Sequence, residues 1–293
     1  MVDTFSEIDV RKQNWTLDIK GFAAKRYVMK NLVSSTKGSA WTESFYQKTA
    51  SSLTGGEGST VKGISRGGDF PFLERGVTLK NAIIQQHGGE GVIYWQDILT
   101  SNLKIESETI SDVSDAVVYS TDGTIYNGLT ENDTPTTINT VAITAGYEWD
   151  AAVEANRRPA FDILKCIEAI QTDRYPIIAS GRGFIAMNEA TFKYFMNNEK
   201  VLNHPTFKLQ EGNTLNGFVA SFLRCKVYVS PVITNDKVLV GMEKTCANWV
   251  SVQDLTVDVI IDPQKKYTIR ASEIGVLQLT DPESLCLLTN VRA

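Results

Sequence analysis

Residues 255–271 read Leu255-Thr256-Val257-Asp258-Val259-Ile260-Ile261-Asp262-Pro263-Gln264-Lys265-Lys266-Tyr267-Thr268-Ile269-Arg270-Ala271. Side chains alternate faces along a strand, so Val257, Val259 and Ile261 fall on one side of a first strand. Asp262-Pro263 and the two lysines supply a turn. On the return, Tyr267, Ile269 and Ala271 lie on one side, with Thr268, Arg270 and Ser272 on the other. Such alternation predicts a sheet with one dry and one wet face.

Upstream, LRCKVYVSPVI and KVLVGME flank Thr234-Asn235-Asp236, a second hairpin signal. Pro159 suits a first helical turn, and Phe161, Ile163, Leu164, Ile167 and Ile170 form one broad apolar face. That helix stops before Tyr175-Pro176, where a strand is expected over 177–179. GFIAMNEATFKYFMNNEK reads as a strand, a turn at Asn188 and a short helix carrying Phe192, Phe195 and Met196. A further helix is predicted over about 105–122 from Ile110, Val113 and Val117. Glu106, Glu108 and Asp112 suit its positive end, and Asp122-Gly123 is its expected stop. INTVAIT reads as a strand.

The first third is less regular. Residues 1–50 show no sustained helical or strand period, and Phe5, Ile8, Trp15, Leu17, Ile19 and Phe22 are too sparse to form a core. They read as an arm that buries its apolar groups against something else, such as another subunit. Six glycines fall in 51–68, a composition found in functional or disordered loops. Val77, Leu79, Asn81 and Ile83 then partly alternate, as the return strand of a long hairpin would. Helices and strands mix without a βαβ rhythm, which gives the class α+β.

Composition narrows the function. A chain of 293 residues with 42% hydrophobic and 22% charged residues can fill a core, and its net charge of −5 lies in the globular range. Apolar runs such as Val238–Val240 are far shorter than a bilayer span, and MVDTFSEIDV lacks the cationic start of a signal peptide. Synthesis in the cytosol, with no membrane partner, is expected. Cys166, Cys225, Cys246 and Cys286 are widely spaced, which suits buried thiols better than a zinc site or a disulfide framework. A mildly acidic chain does not read as a sequence-specific DNA binder. Its first 48 residues carry a weak opposite bias, eight basic against five acidic.

Chemistry finds little support. His87 and His204 are the two histidines, and neither has a G-x-S-x-G elbow. Gly181-Arg182-Gly183 and Gly88-Gly89-Glu90-Gly91 match neither a phosphate loop nor a dinucleotide fingerprint. No metal motif is present. The expectation is a protein that is not an enzyme, with no catalytic residues, cofactor or metal.

Three phrases in order carry a resemblance: Ile185-Ala186-Met187-Asn188 before a short helix, Val229-Ser230-Pro231 followed by 237–240, and Tyr267-Thr268-Ile269-Arg270-Ala271 running into Gly275-Val276 and Asp281-Pro282. In these the chain resembles the major capsid proteins of tailed bacteriophages, which share the Hong Kong ninety-seven-type capsid fold. The resemblance implies an N-terminal arm over 1–50, an extended E-loop hairpin over 51–85, a P-domain over 86–146 with its spine helix, an A-domain over 147–250, and a second P-domain part over 251–293. It implies a subunit that self-assembles into hexamers and pentamers of an icosahedral shell around double-stranded DNA, touching that DNA non-specifically. Scaffolding, portal and decoration proteins would be separate partners, and the shell would assemble in the host cytoplasm to become the virion capsid. Many relatives carry a long helical scaffolding extension; none is visible here, and Met1 suggests a separate scaffold. The alternative is an encapsulin-type cellular nanocompartment. Subunit contacts are expected at Phe70, Pro71, Phe72 and Leu73, which are too apolar for an extended loop in water, and at Arg66, Arg75 and Trp15. Pro71 stiffens the loop and lowers the cost of ordering it.

Some members of this family weld their shells by an isopeptide bond from an E-loop lysine to a neighbour's asparagine. Lys62 is the one lysine of the glycine-rich loop, and Asn235, Asn248 and Asn290 all remain open as acceptors. The donor must be a neutral, desolvated amine, yet Val61, Gly63 and Ile64 give Lys62 little shielding. We therefore expect no cross-link: denaturing gels of mature particles should show one band at the monomer mass. Ladders that survive boiling and reductant would overturn this and point to Lys62.

Overall fold

The computed structural model describes residues 7–39, 42–49, 64–70, 76–100, 105–173, 175–209, 217–262 and 265–292. The chain enters through helices α1 (Glu7–Arg26) and α2 (Met29–Leu32), then strand β1 (Ser34–Lys37). Strands β2 (Thr42–Lys48) and β3 (Val77–Ile83) pair as an antiparallel ribbon. β4 (Gln85–Tyr94) leads through α3 (Trp95–Thr100) to the long helix α4 (Ile105–Leu129). β5 (Asn139–Ala142) precedes α5 (Pro159–Thr172), α6 (Ile177–Ser180), β6 (Gly183–Met187), α7 (Glu189–Met196) and α8 (Glu199–Leu202). β7 (Lys208–Leu209), β8 (Phe218–Phe222), β9 (Cys225–Val229) and β10 (Val238–Met242) follow. The chain closes with β11 (Ala247–Asp262), β12 (Lys266–Leu279) and β13 (Leu285–Thr289).

Two larger sheets organise the molecule. In the four-stranded sheet, ordered β1-β11-β12-β4, the hairpin expected from the sequence pairs Val259 with Ile269 and Ile261 with Tyr267. Its dry face carries Val257, Val259, Tyr267, Ile269 and Ile93, and packs on Ile110, Val113 and Val117 of α4 and on Trp15 and Ile19 of α1. Gly91 and Gly89 stand where α4 comes closest. A Cβ on Gly91 would lie 2.5 Å from Thr109 Cγ2 and 2.8 Å from Val113 Cγ2. The glycine cluster at 88–91 is thus a packing device inside a strand, not a ligand loop.

In the seven-stranded sheet, ordered β5-β13-β10-β6-β9-β8-β7, the central strands β6 and β10 are buried at all five positions. Both their faces are covered, which is why both read as continuous apolar runs. Ile163, Cys166, Ile167 and Ile170 of α5 cover one face, and Ile125 and Leu129 of α4 with Trp249 of β11 cover the other. Helix α4, about 37 Å long by its rise per residue, therefore serves both cores.

Several expectations change here. Residues 7–26 form a helix where the sequence predicts an arm without a sustained period. Its buried residues Trp15, Ile19 and Ala23 recur every four positions on a stripe too narrow to stand out. The spine helix passes its expected stop, because the Asp122 carboxylate accepts the backbone N–H groups of Val28 (2.7 Å) and Lys30 (3.1 Å) and so caps α2 instead. The strand expected over 177–179 is one helical turn, α6, ended by Gly181 in the left-handed region. β9 and β10 are not hairpin partners; β6 lies between them, parallel to β9 and antiparallel to β10. Segment 251–293 divides, since β13 leaves the first sheet to pair with β10 and β5. The outgoing strand of the ribbon, 42–48, begins before the expected hairpin boundary at 51. Among the described residues, no helix is long and apolar enough to cross a membrane.

Gly91→Ala should destabilise the chain by about 1–3 kcal/mol through overpacking, read from the urea midpoint. Gly21→Ala, on α1 with nothing within 4 Å of its added methyl, should be neutral or stabilising by up to about 1 kcal/mol. Equal effects at the two sites would remove the packing role assigned to Gly91.

Candidate functional site

The β2–β3 ribbon has two unlike faces. Phe45, Gln47 and Ala82 turn inward, where Phe45 and Ala82 join Ile84, Val250 and Val276 in a small apolar cluster. Tyr46 and Leu79 sit directly opposite each other on the outer face, in line with Val77 and Ile83. These four are 67%, 59%, 46% and 72% exposed. Four large apolar groups on one exposed face is more than isolated surface hydrophobics explain. The ribbon does not swing free. Lys48 bonds Asp281, a carboxylate only 2% exposed, and the Lys48 N–H donates to the Thr280 carbonyl at 3.0 Å. A second exposed apolar group lies beside α5, with Phe161, Leu164 and Tyr147 at 50%, 41% and 41% exposure.

The residues singled out by sequence divide. Arg66 and Phe70 lie in the connection between β2 and β3, both exposed, Phe70 at 84%. Arg66 stands in a tight turn closed by Gly68 N–H to the Ser65 carbonyl (2.8 Å), with Gly67 at φ 82° as the turn requires. Pro71, Phe72, Leu73, Arg75 and Lys62 lie outside the described residues. Trp15 is placed otherwise than expected: it is 5% exposed and meets Tyr267 edge to face within its own chain. The outer ribbon stripe was half legible, since the alternation of Val77, Leu79 and Ile83 announced a strand, but not that its apolar side faces outward.

Both histidines have structural surroundings. His204 packs against Phe222 in a loop, its Nδ1 2.7 Å from the Thr206 hydroxyl. His87 is buried in β4, with Nδ1 2.9 Å from the Ser120 hydroxyl and Glu273 as its cross-strand neighbour. A Ser–His–acid relay needs the carboxylate on the second ring nitrogen. Here Nε2 has no hydrogen-bond partner among the described residues, and Glu273 is taken by the Tyr27 hydroxyl, which donates at 2.6 Å, and by the Lys30 ammonium. Desolvation lowers the His87 pKa, and the Glu273 charge opposes this only in part. Burial pushes Asp122 up to about 6 against the pull of the three α2 amides. Burial likewise pushes the Cys225 and Cys246 thiols up to about 12, as in inert core cysteines. Among the described residues, no group of three or more His, Cys, Asp or Glu is placed to hold a metal ion.

No family model and no curated protein matches the chain in sequence. Solved structures do match it in shape. The virus-like particle from Pyrococcus furiosus aligns over 95% of this chain and 99% of its own, at TM-score 0.62 and 11% identity. The capsid of Cyanophage P-SCSP1u aligns over 90% and 88%, at TM-score 0.63 and 13% identity. The capsid of a native GTA particle aligns over 92% and 91%, at TM-score 0.61 and 13% identity. At such identities the likeness is one of fold, and it spans nearly the whole molecule: the chain has the Hong Kong ninety-seven-type fold of phage capsid proteins.

The buried groups around α4 set opposite pH dependences. Asp122 has a raised native pKa, so its contribution is full below its ordinary 3.8 and is lost as pH rises through about 6. His87 has a lowered one, so its contribution is full above 6.5 and is lost as pH falls towards its native value. Between pH 7 and pH 5, Asp122→Asn should therefore lose more stability than the parent chain, and His87→Gln less. Urea midpoints at the two pH values check both signs.

Proposed function

We propose that this chain, with its capsid fold, is the major capsid protein of a tailed virus, self-assembling as hexamers and pentamers into the icosahedral head shell around a double-stranded DNA genome. The outer face of the β2–β3 ribbon carries this reading. A two-stranded ribbon is marginal alone, and one that shows Tyr46, Val77, Leu79 and Ile83 to water is stabilised when a neighbouring subunit covers it. Each square ångström of apolar surface so covered is worth about 25 cal/mol. Several such contacts per subunit hold a lattice that no single contact would. The connecting loop, with Arg66, Phe70, Pro71, Phe72, Leu73 and Arg75, is proposed to extend the same contact.

Net negative charge suits the role, because a wall of charge −5 per subunit contacts packaged DNA non-specifically without trapping it. Scaffolding and portal proteins, and decoration proteins where used, are separate partners, and assembly takes place in the host cytoplasm. The shell acts through its interfaces and needs no enzyme chemistry. The likeness to the Pyrococcus furiosus virus-like particle, over 99% of that chain, favours a second reading: an encapsulin-type compartment without a genome. Nuclease-protected double-stranded DNA inside particles from the native source would decide for the virus.

Purified protein, alone or with its scaffold, should give closed shells or hexamers and pentamers in electron micrographs. Leu79→Asp with Ile83→Asp should cut the assembled fraction at least tenfold while leaving the thermal midpoint of the unassembled chain unchanged. A species that stays monomeric at every concentration and salt, with scaffold and without, would sink the shell reading.

A further inference from the structure

A cleft of about 670 Å³ opens between the α1–α2 corner, β1 and the turn that joins β10 to β11. Three lysines from three separate elements, Lys20, Lys30 and Lys244, converge on it. Lys30 is neutralised by Glu273 and lies 4.6 Å from the Tyr27 ring centroid. The ammonium groups of Lys20 and Lys244 have no hydrogen-bond or ionic partner among the described residues. The acid of the lining, Asp254, is engaged: it faces Lys37 at 3.8 Å and accepts the Ser251 hydroxyl at 2.8 Å.

Two further features bear on the ligand. Lys244 has φ 57°, a left-handed backbone rare for a side chain of its size, and its N–H donates to the Leu32 carbonyl at 2.7 Å. The turn thus holds a charged residue at the rim where glycine or asparagine would be easier. Strand β1 is the outer strand of its sheet, and Ser35 lines the cleft. Gly38 N–H donates to the Ser251 carbonyl of β11, so by strand alternation the amides of Ser35 and Lys37 point to the open edge.

We propose that this cleft binds an extended acidic peptide segment of a partner protein. The segment adds to the outer edge of β1 through main-chain hydrogen bonds, and its carboxylates meet Lys20 and Lys244. A nucleic acid would satisfy the same lysines. It would leave the strand edge unused, however, and find no free aromatic face to stack on, since Tyr27 is only 6% exposed and lies beneath Lys30.

The test uses the full chain and a fluorescent (Glu-Ser)4 peptide at low ionic strength, followed by anisotropy. Saturable binding is expected, with at least tenfold weaker affinity for Lys20→Glu/Lys244→Glu at an unchanged thermal midpoint. Ser35→Pro removes an edge donor without changing charge and should weaken binding at least fivefold. A (Lys-Ser)4 peptide should not bind, and neither a twelve-nucleotide oligo-dT nor millimolar inorganic phosphate should displace the acidic peptide. Binding that survives the double charge reversal overturns the proposal. So does displacement by oligo-dT at equal concentration, which would make the cleft a general polyanion surface.

Discussion

The contact on which the rest of the structure depends is the close approach of α4 to β4 at Gly89 and Gly91. With no Cβ at these positions, the helix settles into the sheet until Val113 and Thr109 occupy the space a side chain would fill. A shift of one residue in β4 would turn Glu90 and Val92 towards the helix and end the contact. Once α4 is fixed at that depth, its later turns project beyond the sheet, where Ile125 and Leu129 become part of the wall of the second core. Asp122 is then carried to the amides that open α2, and Ser120 to His87. The two cores share a long helix and a long strand, β11, whose Trp249 lies in one core and Val259 in the other.

The ribbon follows a different logic. Its inner face joins a small cluster, and one end is tied by Lys48 to Asp281, a nearly buried carboxylate that Tyr175 also reaches. A buried ion pair of this kind adds little net stability against a hydrophobic alternative but strongly resists losing one partner. It fixes the orientation of the ribbon and leaves the opposite face, with Tyr46 and Leu79, to water. Fixing the direction of an apolar face before association lowers the entropy lost when a partner covers it.

What could be read in the sequence tracks what is local. The β11–β12 hairpin, the apolar face of α5 and the Asn188 turn all declare themselves within a dozen residues. Asn188 does cap α7, its side chain accepting the Ala190 N–H at 3.0 Å. The misreadings involve partners distant in sequence. Thr234-Asn235-Asp236 forms a turn, closed by Lys237 N–H to the Thr234 carbonyl, but no local signal could announce that β6 inserts between its flanking strands. Asp122-Gly123 carries an ordinary stop signal that a distant helix puts to another use. Phe70 and Arg66, expected as contact residues, are exposed, whereas Trp15, expected as one too, is buried on Tyr267. An apolar residue in a polar stretch says that something must cover it. It does not say whether the cover comes from the same chain.

The weak basic bias of the first 48 residues shows how that question resolves for the N-terminal segment. Arg26 pairs with Asp115 of α4, Lys30 with Glu273 of β12, Lys37 with Asp254 of β11 and Lys48 with Asp281. Four of the segment's eight basic residues are thus paired with acids of its own body. These pairs are not equal. Arg26–Asp115 and Lys37–Asp254 are well exposed and contribute at most about 1 kcal/mol each. Lys30–Glu273 joins a carboxylate with no exposure at all, so the loss of Lys30 would leave an unpaired buried charge beside Tyr27 and His87. Charge therefore holds α1, α2 and the start of the ribbon against the body at a few defined points, and apolar contact through Trp15, Ile19 and Met29 fills between them. An N-terminal segment held in this way is part of the body it packs on, whereas the ribbon keeps its outer apolar face, with Tyr46 and Leu79, exposed.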